Sequence, residues 1–241
     1  MNGVAVKVSD LDFLIERFSM LPEKREYELP SDYIQRVRYL DKSLSPFPGK
    51  FSYDRFPYFK EIVDKLSPAD PTKYVFVMKG NQCGYTTAVL EPGMMYHIGS
   101  DPEEQALFLP DEIMAKDYVK TKLESCIDNS GLRPLIASQS RKANGSKDTG
   151  DTTLHKQYLG GSLKVFGGKS GSKFRNFSLK VIYVDEADAF ISLIKGEGDV
   201  FTLMKGRQDA FANHSKLIIG STPKNEGSSQ IQNLFLQGTQ K

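Results

Sequence analysis

Residues 73–87 read KYVFVMKGNQCGYTT, and the fold turns on how they are read. The run Lys73–Met78 is short, apolar, β-branched and aromatic. That pattern predicts a strand buried on both faces, as in a parallel sheet. The run then breaks into a glycine-containing loop, Lys79–Thr87. A phosphate-binding loop has the pattern G-x-x-x-x-G-K-[ST]. The spacing fits here if Lys79 stands in the first glycine's place and Tyr85 in the usual lysine's place, with Gly84 and Thr86 where the pattern needs them. A loop between a buried strand and a helix start aims backbone N–H groups at phosphates, and the helix dipole adds favourable partial charge. A lysine stem can reach the β- and γ-phosphates from the start of the loop as well as from its end, and Thr86 offers a hydroxyl to Mg²⁺. The competing reading is a plain strand–turn–helix with a glycine turn.

About a hundred residues later comes LKVIYVDEAD, residues 179–188. An apolar strand ending in Asp-Glu is the second half of such a nucleotide site. Asp185 is expected to hold Mg²⁺, directly or through water, and Glu186 to polarise the attacking water as general base. The alternative is a strand running into an acidic helix start. A third strand, KLIIG, exits through Ser221-Thr222-Pro223. A hydroxyl pair beside the Asp-Glu strand suits a γ-phosphate sensor coupled to a nucleic-acid side; the bland reading is a strand-to-turn exit before proline.

Outward from these segments, further short apolar runs at 106–109, 134–137 and 162–166 alternate with helical stretches such as DEIMAKDYVKTKLESCI and GDVFTLMKGRQDAFA. Strands alternating with helices predict one α/β domain with a mainly parallel central sheet flanked by helices. Residues 1–45 read as a polar, helical segment packed on the core, with Asp10 and then Ser31 or Asp32 as N-caps. A break rich in proline and aromatics, SLSPFPGKFSYDRFPYF, precedes a short helix FKEIVDKLS. The core is expected over 46–230. Residues 231–241 read as the frayed start of a linker.

Composition sets the limits. The chain has 241 residues, 39% hydrophobic and 26% charged, with a mean hydropathy of −0.40, which excludes full disorder. No run of about 18 apolar residues occurs, so no membrane-spanning helix is expected, and the N-terminus shows no signal-peptide pattern. Two cysteines, Cys83 and Cys126, build neither a disulfide scaffold nor a four-ligand zinc site. The net charge of +2 conceals an asymmetry. Residues 133–180 hold ten cations and two anions, a local +8, leaving −6 for the rest. That window is also rich in Gly, Ser, Asn and Thr. It suits a phosphate backbone or, more plainly, a solvated basic face.

The segments PGKFSYDRFPYFKEIVDKLS, KGNQCGYTT, MMYHIGSDPEEQALFLPDE, YLGGSLKVFGGKSGSKFRNF, IYVDEADAF, GEGDV and GSTPKNEGSS, spread over residues 47 to 230, together resemble the ATPase domain of the large terminase subunit of tailed bacteriophages, in its lambda-type branch. A lysine at the start of the phosphate loop is a departure that this family shares. The resemblance implies the additional-strand, catalytic-Glu P-loop NTPase fold. It implies ATP and Mg²⁺ as ligands and a motor that drives double-stranded DNA into a capsid as a homo-oligomeric ring on the portal protein, with a small terminase subunit as partner, in the host cytoplasm. Lys79, Gly84, Tyr85, Thr86 and Thr87 fall on the phosphate loop, Thr86 and Asp185 on the metal, Glu186 on the catalytic base, and Ser221 and Thr222 on the coupling motif. Tyr53 or Tyr58 is expected to stack on adenine with Arg55 in contact, unless these aromatics form a hydrophobic staple. Arg175 matches an arginine finger acting on a neighbour's γ-phosphate; a backbone-phosphate contact or a solvated charge is the alternative. Arg141, Lys142, Lys147, Lys169 and Lys173 are the candidate contacts to translocating DNA, sequence-blind and salt-sensitive. No acidic nuclease cluster follows the coupling motif, so the chain reads as a domain fragment without nuclease activity. A superfamily 2 helicase-like ATPase, or a binding module with a degraded loop, are the competing readings.

Overall fold

The computed structural model describes residues 27–42, 45–137, 140–141, 147–148, 151–167, 177–190, 200–211, 214–224, 227 and 229–238. In chain order the strands are β1 (Tyr39–Leu40), β2 (Gly49–Lys50), β3 (Tyr74–Met78), β4 (Gln105–Leu109), β5 (Ser140–Arg141), β6 (Lys147–Asp148), β7 (Asp151–Thr152), β8 (His155–Tyr158), β9 (Gly161–Gly167), β10 (Val181–Asp185) and β11 (Lys216–Ser221). The helices are α1 (Pro30–Val37), α2 (Pro57–Asp64), α3 (Glu91–Gly99), α4 (Glu112–Tyr118), α5 (Glu124–Asn129), α6 (Val200–Gly206) and α7 (Gln230–Gln237). Two π-helical turns, Thr86–Leu90 and Val119–Leu123, run directly into α3 and α5.

Seven strands form one sheet in the order β3-β11-β10-β4-β9-β8-β7. The first five are mutually parallel, and β8 and β7 close the far end antiparallel. β11 lies between the phosphate-loop strand β3 and the Asp-Glu strand β10; it is the inserted strand that the resemblance implies. The period-2 alternation of side chains divides the core. Val77, Leu107, Leu109, Val181, Tyr183 and Ile218 face α1 to α5. Ala106, Phe108, Ile182, Val184, Leu217 and Ile219 face α6 and α7. Helices on both faces of a mainly parallel sheet complete the α/β architecture expected from the alternating pattern.

Several local expectations need correction. β3 is not buried on both faces: it is the edge strand among those described, with Tyr74 and Met78 partly exposed. PLIA is not a strand; Arg133–Leu135 is a 3₁₀ turn, followed by one bridge from Ile136 to Tyr158. The cap of α1 is Leu29, with Pro30 opening the helix, since proline's fixed φ and missing N–H suit a first turn. Ser31 serves a tertiary contact instead, its N–H and hydroxyl both donating to the Asp64 carboxylate at 2.9 Å. α1 ends at Val37 because residues 39–40 pair with 49–50. The tail is not frayed up to Gln237. Ser229 caps α7 through Gln232 N–H, and Ile231 is buried. Asp10 lies outside the described residues.

Candidate active site

Register brings the site together. β3, β11 and β10 are parallel and in step, with Met78 beside Ser221 and Gly220 beside Asp185. The residues that follow, Lys79 and Glu186, therefore emerge at the same carboxyl edge, two strand spacings or about 10 Å apart. Open α/β sheets bind ligands at this edge. The Lys79 ammonium donates to Glu186 Oε1 at 2.5 Å and lies 3.5 Å from Asp185 Oδ1. Burial opposes its charge. The hydrogen bond to Glu186 and the two carboxylates outweigh burial and raise its pKa. Asp185 is 8% exposed. Its desolvation raises its pKa despite Lys79, which acts the other way.

The loop is shaped by two residues of positive φ, Gln82 at 52° and Gly84 at 86°. A Cβ on Gly84 would sit 2.5 Å from Phe56 Cε1, so the loop closes directly on that ring. Thr86 Oγ1 donates to Asp185 Oδ2 at 3.2 Å. Glu186 takes a left-handed conformation, φ 56° and ψ 50°. A non-glycine residue held there stores backbone strain of about 1–3 kcal/mol, a pattern that clusters at functional sites.

Ser221 and Thr222, the expected coupling pair, bridge the two halves. The Ser221 hydroxyl, fully buried, accepts from Asp188 N–H at 3.1 Å, and Thr222 Oγ1 donates to Asn81 Oδ1 in the loop at 3.1 Å. Asp188 in turn accepts from Lys224 N–H and from Ile231 N–H in α7. Sequence reasoning singles out neither Asp188 nor Asn81. Asp188 stands in the quoted IYVDEADAF, and an Asp two residues after the Glu of the Asp-Glu pair is the signal that points to it.

Other expected site residues divide. Tyr85 is a core wedge: it is 2% exposed, its ring fills the space over Gly220 where a Cβ would lie 2.4 Å away, and the Lys79 ammonium stands 5.5 Å above it. What it can offer a phosphate is its backbone N–H. Tyr53 is also buried, its hydroxyl donating to Ala88 O at 2.8 Å, so its ring is not free to stack on a base. Tyr58 is exposed beside the loop and donates to Cys83 O at 3.0 Å. Arg55 lies over the exposed Phe47 ring at 5.1 Å. These are the exposed groups of the segment expected to meet adenine. Thr87 presents its carbonyl to Arg38, a contact that no sequence pattern signals.

The basic window is partly neutralised. Arg133 pairs with Glu124 and Asp128, Lys156 with Glu124, Lys164 with Glu104, and Lys180 with Glu103. The six other cations are the five DNA candidates and Arg175. Of these, Arg141 and Lys147 are backbone register partners in the β5–β6 ladder, while Lys142, Lys169, Lys173 and Arg175 lie outside the described residues. Among the described residues no three His, Cys, Asp or Glu side chains converge as a metal centre. Thr86 and Asp185 are nevertheless hard oxygen donors 3.2 Å apart, the donor type Mg²⁺ takes when phosphate and water complete its shell. No described helix is long and apolar enough to cross a membrane.

Comparison with known proteins agrees with this geometry. Residues 45–241 match the family described as phage terminase large subunit gpA, ATPase domain. The terminase large subunit of Enterobacteria phage P21 is 28% identical over 195 residues, covering 80% of this chain and 29% of that protein. That of Escherichia phage lambda is 28% identical over 196 residues, with the same coverage. The chain therefore spans under a third of these relatives. Among solved structures, the Thermus phage P74-26 large terminase ATPase domain superposes with a TM-score of 0.54 at 14% identity, over 88% of this chain and 76% of that one. The HK97 bacteriophage large terminase does so with 0.57 at 12%, over 86% and 39%. These two likenesses concern the fold. The helicase-like alternative is not favoured. With a lysine-led loop and an Asp-Glu strand meeting across an inserted strand, and with the family match over most of its length, the chain belongs to the ATPase domains of phage terminase large subunits.

Proposed function

We propose that this domain hydrolyses ATP with Glu186 as general base and Lys79 as the phosphate-binding cation, and that hydrolysis drives double-stranded DNA into a capsid. The observation that carries this reading is the ammonium of Lys79 meeting both Asp185 and Glu186. A triphosphate laid along the loop carries several negative charges and competes for the same ammonium. As Lys79 turns to the phosphates, the Glu186 carboxylate is released to accept a proton. A water then attacks the γ-phosphorus, its proton passes to Glu186, the bond to the β–γ bridging oxygen breaks, and ADP and phosphate result. Mg²⁺ held by Thr86 and Asp185 would offset phosphate charge. Ser221 and Thr222 join the loop to the turn after β10 and thence to α7, a route by which the γ-phosphate state is communicated.

Family membership supports the packaging role. The chain is a fraction of its relatives' length, so the ring, the portal and small-subunit contacts, the host cytoplasm as the place of action and Arg175 as a finger in trans are parts of the proposal. So are DNA contacts from Arg141, Lys142, Lys147, Lys169 and Lys173. The test is Glu186→Gln. Binding of a Mg²⁺-bound non-hydrolysable ATP analogue should stay within about twofold, while turnover falls by about 10²–10⁴-fold, the usual worth of a general base. Normal turnover in this variant removes Glu186 from the mechanism.

A further inference from the structure

The helix that follows the phosphate loop contains a proline where it needs a donor. In the π-helical turn Thr86–Leu90 the Glu91 N–H reaches back five residues to Thr86 O. The next bond of that kind would run from residue 92 to Thr87 O, and the ordinary α-helical bond would run from residue 92 to Ala88 O. Residue 92 is Pro92, which has no N–H. Whichever of the two patterns the helix follows, residue 92 offers no donor to either carbonyl, and a backbone acceptor shielded from water without a partner is costly.

Both carbonyls are taken up by side chains from a different part of the chain. Arg38, the residue just after α1, donates from Nη1 to Thr87 O at 2.6 Å. Tyr53 donates from its hydroxyl to Ala88 O at 2.8 Å. Arg38 is itself fixed. It is 5% exposed, pairs through Nη2 with the buried Glu91 carboxylate, and lies 5.3 Å over the Phe51 ring. Phe51 meets Tyr53 edge-on at 4.9 Å. Arg38, Phe51 and Tyr53 therefore form one buried unit against the turn whose first residue is Thr86, the hydroxyl on Asp185.

We infer that Arg38 and Tyr53 are positioning residues for nucleotide binding, holding the two carbonyls that residue 92 has no N–H to serve and so fixing Thr86 and Thr87 at the phosphate site. The inference rests on the proposed ATP site. It adds that the segment 38–53 acts on the phosphates through the helix backbone.

The test is a double-mutant cycle of Tyr53→Phe with Pro92→Ala, read as affinity for a fluorescent non-hydrolysable ATP analogue with Mg²⁺. Tyr53→Phe removes only the hydroxyl and should weaken binding by about fivefold, one hydrogen bond's worth. In the Pro92→Ala background, where the alanine supplies an N–H to Ala88 O, the same change should cost less than about twofold. Arg38→Lys, which keeps a charge opposite Glu91, should weaken binding in the parent chain by a factor similar to that of Tyr53→Phe, since it withdraws the donor to Thr87 O. A merely structural role lowers the melting temperature in both backgrounds and leaves affinity unmoved, which overturns the inference; so does an equal loss in both backgrounds. If the Pro92→Ala variants melt below the assay temperature, amide exchange of residues 86–91 in Tyr53→Phe decides. Selective acceleration there by about fivefold or more supports the inference, and unchanged exchange overturns it. A parent chain that fails to bind the analogue overturns the proposed function and this inference with it. A parent that binds while Tyr53→Phe binds equally well overturns only the inference.

Discussion

Gly84→Ala puts a single methyl group into the phosphate loop, and the structure sets its cost. The residue sits at φ 86°, where a side chain meets the following carbonyl at about 1–2 kcal/mol. The new Cβ would also lie 2.5, 3.0 and 3.4 Å from three atoms of the Phe56 ring, so ring or loop must shift by about 1 Å to restore ordinary carbon contacts. Phe56 stacks on Phe51 at 6.1 Å, and Phe51 carries the Arg38 guanidinium, so the ring cannot move without disturbing the unit that holds Thr87. Overpacking of this kind costs about 1–3 kcal/mol, giving a total of about 2–5 kcal/mol. Urea unfolding of the parent and the variant measures it, with nucleotide affinity determined on the same samples. The control lies in the same loop. Gly80→Ala meets nothing within 4 Å and should stay within about 0.5 kcal/mol. Equal small effects at both positions would refute the claim that the loop closes on Phe56.

Two further outcomes follow from the same geometry. His97 is buried, and desolvation, reinforced by Lys180 and Lys216 and opposed by its hydrogen bond to Asp101 O, lowers its pKa from 6.5 to about 4. The unfolded chain therefore takes up this proton first, and stability falls as pH drops from about 6.5 to about 4, by about 3 kcal/mol in all. Denaturant titrations of His97→Gln across that window should show a flatter slope, and an identical slope counts against a neutral His97. Removing Arg141 and Lys142 together should reduce the log–log salt slope of duplex-DNA affinity by about 2, since each cation withdrawn from a phosphate leaves about one counterion in place; an unchanged slope removes them from the DNA path.

The parts of the fold legible in the sequence are those where local chemistry and tertiary role coincide. The runs VIYV and LIIG form buried strands because they stay apolar up to the polar exit, and their order brings Lys79, Asp185 and Ser221 to one sheet edge. Tyr53 misleads because its surroundings in sequence, SYDR, look like a surface turn; only the tertiary structure reveals that Pro92, some forty residues on, leaves a carbonyl for its hydroxyl. Motif position alone puts the Tyr85 side chain at the phosphates, whereas its ring answers to Gly220 on another strand. Arg38 and Glu91 carry no local signal, since a buried ion pair between distant residues looks like two surface charges. The polar composition of the tail suggests a linker, although Ser229 and Ile231 supply a cap and a buried anchor.

The central claim is that a lysine entering from the front of the loop neutralises the triphosphate before the Asp-Glu pair. The direct measurement is the dissociation constant of a Mg²⁺-bound non-hydrolysable ATP analogue for the parent and for Lys79→Ala, with both shown to be folded by thermal melting. Loss of a charge-assisted hydrogen bond predicts weakening of at least about tenfold. A folded Lys79→Ala variant that binds the analogue as tightly as the parent would contradict the account.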